Sequence, residues 1–255
     1  APLPLYHIYA FTVSLVMSDM GHEMVLIPNP RDIPGFVKEL SKHKFSSFAG
    51  LNTLFVALCN NKEFNALDFS HLKHTISGGM ALTEAAASTW QNVTGCQIQE
   101  AYGLTETSPA VSFNPYRDIR IGTIGKVVTG TQVKVISEDG TDLGFDQEGE
   151  LCVKGPQVMA GYWQRPEATA QVLDADGWFK TGDVAILAED GFNPITNDED
   201  SFTMGLIDPT TEQNLVISPL STVLYVDDRF SYESIKEKLG VDSNFMIRTV
   251  DPYMS

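Results

Sequence analysis

The stretch Gln97-Ile98-Gln99-Glu100-Ala101-Tyr102-Gly103-Leu104-Thr105-Glu106 decides the fold of this chain. Gln97 to Ala101 reads as a short strand, and Gly103 just behind it turns the strand into a loop. Working upstream, His74 to Ser77 is another strand ending in Gly78-Gly79, and Phe45 to Gly50 is a third. Helical patterns lie between them. Asp32 to His43 carries Ile33, Phe36, Val37 and Leu40 at helical spacing, with Pro34 early, where a helix tolerates it. Asn52 is placed as the cap of an apolar helix through Leu58. Thr83 caps an alanine-rich helix through Trp90, with Glu84 in its first turn. Glu23 to Pro28 is dense in aliphatic residues and reads as a further, buried strand. Strands separated by helices imply a parallel sheet, with the loops at the strand ends as binding ground.

Downstream the pattern changes. From about Ile121, glycines punctuate short β-rich stretches. Val133 to Ile136 meets an Asp139-Gly140 turn, and Gly149 to Val153 returns as a strand. A helix from Pro166 to Val172 precedes a strand from Trp178 to Ile186. The expected fold class is therefore α/β. A parallel sheet with flanking helices (1–118) is followed by a small antiparallel β-barrel-like subdomain (119–192). The acidic tail at 193–255 is read as α+β, with strands at Leu215 to Ile217 and Thr222 to Val226 and a helix at Tyr232 to Leu239.

The formal net charge of −16 opposes nucleic-acid binding, which rests on Lys and Arg neutralising phosphates. It also means that any nucleotide must be held by a local site working against the overall field. Cys59, Cys96 and Cys152 stand far apart with no metal-ligand or disulfide spacing, so a reducing cytoplasm is expected. The apolar run Leu5 to Met17 is too short to span a bilayer, and a membrane contact at the inner face, if made, is peripheral.

Tyr102 to Glu106 places an aromatic face, a glycine, a hydroxyl and a carboxylate within one short run. Those groups suit stacking a purine, approaching a phosphate and holding Mg²⁺. The chain also carries Lys180-Thr181-Gly182-Asp183 after an Asp176-Gly177-Trp178 turn, and Ser77-Gly78-Gly79-Met80 after an apolar strand. A carboxylate such as Asp183 can accept from both hydroxyls of a cis-diol. Plainer readings stand beside each. Thr105 and Glu106 fit a capped turn with a solvated acid, Thr181-Gly182-Asp183 fits a β-turn, and Gly78-Gly79 fits a strand-ending turn. A histidine beside aromatics, as in Pro4-Leu5-Tyr6-His7-Ile8-Tyr9, fits a packed, hydrogen-bonded residue.

Taken in this order, the three elements resemble those of AMP-forming acyl-CoA synthetases, in wording closest to bacterial long-chain fatty acid CoA ligases, over about residues 1 to 192. The resemblance implies that Tyr102 stacks on adenine, Thr105 contacts phosphate, and Glu106 binds Mg²⁺. It implies that Asp183 holds the ribose hydroxyls and that the Gly78, Gly79 and Met80 backbone passes close to adenine. Gly103 belongs to the same nucleotide set, and His7 falls at the carboxylate and thiol end. The implied reaction joins a fatty acid to CoA through an acyl adenylate made from ATP, releasing pyrophosphate and AMP. The family's phosphate loop and C-terminal lid lie outside the matched stretch, so the chain alone is expected to turn over poorly. A non-catalytic nucleotide or acyl-adenylate binding module, and a truncated or fused product, remain open as alternatives. So do a homo-oligomer and a complementing polypeptide.

Overall fold

In the computed structural model three strands run parallel: β1 (Ser47–Gly50), β2 (His74–Ser77) and β3 (Ile98–Gly103). Residues 1–191 and 193 are described, together with the backbone of Gly205–Ile207 and Asn214–Val216. Ser47 lies opposite His74, and Ser77 opposite Glu100, so β2 and β3 point to one rim of the sheet, with β3 running on past Ser77 to Gly103. β4 (Ala110–Phe113) then folds back antiparallel on β3, and β5 (Lys126–Val127) pairs antiparallel with β4. The five-stranded sheet is therefore mixed. Its parallel part is the part whose strands are separated by helices, because a parallel return needs a crossover.

Those helices have apolar stripes that account for where they pack. α2 (Ile33–Leu40) buries Phe36, Val37 and Leu40. Its cap, Asp32, accepts the Gly35 amide at 3.0 Å. α3 (Asn52–Cys59) buries Leu54, Phe55, Leu58 and Cys59. α4 (Glu84–Thr94) buries Ala86, Ala87, Trp90 and Thr94, with Thr83 accepting the Ala86 amide at 3.3 Å. The Trp90 ring centres this core, 4.8 Å from Phe55 and 5.2 Å from Phe48. Its indole N–H donates to Thr75 Oγ1 at 3.1 Å, so the buried donor is satisfied.

Upstream of these, α1 (Ile8–Asp19) is apolar around its circumference. It buries Tyr9, Ala10 and Ser14 and leaves Phe11, Leu15, Val16 and Met20 exposed. The second sheet is antiparallel, with β7 (Glu148–Lys154) between β6 (Gln132–Ile136) and β8 (Phe179–Ile186). α5 (Pro166–Val172) precedes β8 and begins on a proline, which suits a first helical position. A second compact unit, Thr203–Ser255, contains an antiparallel pair, β9 (Gly205–Ile207) and β10 (Asn214–Val216). The expected strand at Thr222 to Val226 and helix at Tyr232 to Leu239 lie outside the described residues.

Three expectations are corrected. Glu23 to Pro28 is not a strand: it pairs with no strand of the sheet, and its backbone bonds instead to Ala1, through the Val25 carbonyl and the Ile27 amide. Its side chains are only partly covered; Val25 and Ile27 help wall a cavity of about 300 Å³ beside β1, at the end of the sheet. Asn52 is the first residue of α3 rather than its cap, and its Oδ1 accepts from the Thr83 amide at 3.0 Å and hydroxyl at 3.1 Å, joining two helix starts. The second sheet forms no barrel among the described residues. Three strands with β6 and β8 at the edges are too few to close.

Gly103 is fixed by packing. A Cβ there would lie 1.7 Å from the Pro109 carbonyl oxygen, where β4 turns back against β3. Gly103→Ala is expected to cost several kcal/mol, about 3 or more, or to prevent folding, as read by chemical denaturation. Glu100 gives a pH-dependent prediction. Burial pushes its carboxyl up to about 7, against the opposing hydrogen bond it accepts from the Gly122 amide at 2.8 Å. The folded chain then holds a proton that the unfolded chain releases. The stability tied to Glu100 is full below the ordinary carboxylate range, falls as pH rises to about 7, and is flat above. Glu100→Gln keeps an acceptor for Gly122. It is expected to raise the thermal midpoint at about pH 8 and to change it little at about pH 4.

Candidate functional site

Two of the sequence motifs meet through one hydrogen bond. The Tyr102 hydroxyl donates to Asp183 Oδ2, joining residues 81 apart in the chain. Tyr102 lies on β3, and its ring is packed with Val111, Leu151 and Val153 in the core shared by the two sheets. Asp183 lies on β8 at an irregularity: Glu150 pairs with Val184 and Cys152 with Lys180, leaving Thr181, Gly182 and Asp183 opposite Leu151 alone. Extra residues on one strand bend it and re-aim side chains. The Thr181 hydroxyl pins the bulge, donating to the Leu151 carbonyl at 2.8 Å and accepting the Asp183 amide at 3.1 Å. Thr181-Gly182-Asp183 is thus a bulge within a strand, not a free turn. Burial, then the Asp183 charge, pushes the Tyr102 phenol far above its usual range, so it remains a donor.

The loop after β3 carries Thr105 and Glu106 in a single 3₁₀ turn, Thr105–Thr107. Thr105 is exposed and Glu106 partly so. The turn is held by Thr107, which sequence reasoning had not singled out. Its buried hydroxyl accepts the Leu104 amide at 2.9 Å and donates to the Pro109 carbonyl at 2.5 Å. Tyr162 was missed as well. Its hydroxyl donates to Glu106 Oε1 at 2.9 Å from a loop 56 residues away, and the Met159 amide donates to the Glu106 carbonyl at 2.8 Å. Nothing local in the sequence ties Gly161-Tyr162-Trp163 to Glu106.

The loop after β2 leaves the same rim as β3. Gly79 sits at φ +81°, a conformation open to glycine. Gly78 is buried against the Tyr9 ring, and Met80 is half-buried. Tyr9 spans the ends of β1 and β2, its hydroxyl reaching the Ile76 carbonyl at 3.0 Å and the Gly50 carbonyl at 3.4 Å. His7 caps α1: its Nδ1 accepts the Tyr9 amide at 3.2 Å, which leaves Nε2 to carry the proton of a neutral ring. Burial lowers its pKa, in keeping with the neutral form. The ring lies beside Gly79, with Cε1 at 4.0 Å from where a Cβ would stand.

The candidate residues therefore form two groups on one rim. Tyr102, Asp183 and Glu106 with their supports stand at the end of β3, and His7, Gly78 and Gly79 at the end of the neighbouring β2. At the end of β2, Ser77 Oγ is buried without a hydrogen-bond partner among the described residues. A buried hydroxyl left unsatisfied costs about 1–3 kcal/mol, so it marks a place where a ligand or water would be favoured. The arrangement can supply a fixed carboxylate acceptor, a second carboxylate braced by a phenol, and glycine backbone open to close approach.

The chain has relatives among known proteins. A family model described as AMP-binding enzyme matches residues 1–163. The chain is 51% identical over 192 residues to a long-chain-fatty-acid–CoA ligase of Escherichia coli O6:H1, covering 74% of this chain and 34% of that one. It is 53% identical over 193 residues to the Yersinia pestis protein of the same name, with the same shares covered. Among solved structures it matches ATP-bound MatB from Rhodopseudomonas palustris with a TM-score of 0.69 and 30% identity, over 76% of this chain and 38% of that one. The chain spans about a third of the length of the curated relatives it matches. By the span of the matched model, this chain belongs to the AMP-binding enzyme family.

Proposed function

We propose that this chain carries an adenylate-binding part of a fatty-acid–CoA ligase, in which a carboxylate substrate attacks the α-phosphate of ATP and CoA thiol then takes the acyl group from acyl-AMP. The observation that carries the proposal is the hydrogen bond between Tyr102 and Asp183, which brings two separate motifs of the resemblance to one point. The relatives, long-chain-fatty-acid–CoA ligases by name, suggest the substrate class.

Each residue has a definite task in this scheme. Asp183, oriented by the Tyr102 hydroxyl, accepts from the ribose hydroxyls. Tyr102 is only 4% exposed, so adenine stacking on its ring requires the side chains over it to part. Asp183 is thus the firmer anchor. Gly78, Gly79 and Met80 offer backbone to the base and Gly103 belongs to the same wall, while Thr105 offers a hydroxyl to phosphate. His7, neutral and beside Gly79, stands at the end where the carboxylate and thiol react. No protein nucleophile is needed, since positioning and charge stabilisation supply most of the acceleration of such a transfer.

The donor set also bears on Mg²⁺. No group of three or more His, Cys, Asp or Glu able to hold a metal occurs among the described residues. Glu106 offers a single half-buried carboxylate. Mg²⁺ is commonly held by one or two carboxylates plus substrate phosphates and water, so Glu106 fits a cation that arrives with the nucleotide. Bound there, the cation would neutralise phosphate charge. The proposed domain division assigns 1–118 to the adenine side and 119–192 to the ribose side. No helix among the described residues is long and apolar enough to cross a membrane.

Isothermal titration of the intact chain with AMP tests the assignment. AMP is expected to bind, and Asp183→Ala to weaken it by at least about tenfold through loss of charge-assisted hydrogen bonds. Tyr102→Phe, which keeps the ring but removes its hydrogen bond to the carboxylate, is expected to weaken it by roughly threefold to tenfold. An absence of AMP binding, or binding indifferent to Asp183, contradicts the assignment. ATP–pyrophosphate exchange with a long-chain fatty acid then reads whether adenylation follows binding.

A further inference from the structure

We propose that Tyr162, in the loop between β7 and α5, is a positioning residue that fixes the Glu106 carboxylate for a phosphate-bound divalent cation. This rests on the assignment of Glu106 in the preceding subsection. The phenol donates to Oε1 at 2.9 Å while the Met159 amide donates to the Glu106 carbonyl at 2.8 Å. One loop thus grips one residue twice, through its side chain and through its backbone.

The grip is itself anchored. The Tyr162 amide donates to Thr169 Oγ1 at 2.9 Å, and that hydroxyl donates to the Arg165 carbonyl at 2.9 Å. The Arg165 amide returns to the Tyr162 carbonyl at 3.1 Å. Gly161 runs so close to α5 that a Cβ would lie 2.8 Å from Thr169 Cγ2. Tyr162 is therefore tied to the start of α5 as a frame and reaches out from it to Glu106.

The chemistry suits a brace. A phenol donates one proton without carrying charge, so it orients the carboxylate and leaves its negative charge available to a cation. A lysine in the same place would cancel that charge. Burial, then Glu106 itself, pushes the Tyr162 phenol up to about 12, so the donor persists at neutral pH. Only Oε1 is engaged among the described residues, which leaves Oε2 for a metal ion or its water. A free glutamate side chain gives up rotamer freedom when it captures a cation; one already held gives up less. Tyr162 is 37% exposed, so burial alone does not dictate this bond to a distant acid.

The test is calorimetry of the whole chain with ATP, with and without Mg²⁺, for Tyr162→Phe, Glu106→Gln and the double variant. Tyr162→Phe is expected to reduce the gain in ATP affinity that Mg²⁺ confers by about tenfold, the scale of one charge-assisted hydrogen bond. In the Glu106→Gln background it should cause no further loss, since the two residues act as a unit. An unchanged gain overturns the proposal, as does an equal loss with and without Mg²⁺, the mark of a merely structural role. If the unsubstituted chain binds no ATP, the adenylate assignment fails and the brace is decided in ligand-free protein. Amide exchange at Met159 about tenfold faster in Tyr162→Phe then supports it, and an unchanged rate overturns it.

Discussion

The candidate site depends on two adjacent parallel strands that end toward the same edge of the sheet. β2 and β3 run in register, Ser77 opposite Glu100, so the glycine loop after one and the Tyr102 to Glu106 loop after the other must leave the sheet side by side. A parallel pair forces this, because both carboxyl ends lie at the same edge. Antiparallel pairing of β2 with β3 would send the two loops to opposite ends of the sheet. The Trp90-centred aromatic core, which packs α3 and α4 onto these strands, holds the pair in place.

Onto that rim the second sheet delivers Asp183. The bulge on β8 and the Thr181 hydroxyl aim the carboxylate, and the buried Tyr102 phenol receives it. Such a contact, between residues far apart in the chain, depends on the shared core of Tyr102, Val111, Leu151 and Val153. Folding stability and site geometry are here the same set of interactions. Gly103 shows the coupling plainly. It belongs to the candidate nucleotide set, yet the need for glycine there comes from the close passage of Pro109.

Much of this was legible in sequence because its causes are local. The apolar stripe of α2, the Thr83 cap of α4 and the extent of β2 follow from spacing and capping chemistry that a few neighbouring residues express. What was not legible depends on distant partners. The aliphatic run from Glu23 to Pro28 has strand composition, but a strand exists only where another strand pairs with it, and no strand of the sheet does so here. Asn52 has the chemistry of a cap, yet its oxygen is taken by Thr83 from another helix. Likewise Tyr162 looks like a loop aromatic until the fold brings it to Glu106. His7 sits on the border: its sequence marks it as noteworthy, and the structure gives it two roles, the cap of α1 and a neighbour of Gly79.

Convergence of the two strand-end loops and the β8 bulge on a single adenylate is open to direct measurement by intermolecular nuclear Overhauser effects between bound AMP and the isotope-labelled chain. Adenine protons should show contacts to the Gly79 amide and the Tyr102 ring, and ribose protons to residues flanking Asp183, all from one bound molecule. Contacts confined to one of these loops, or to a surface away from the ends of β2 and β3, would contradict a shared adenylate site.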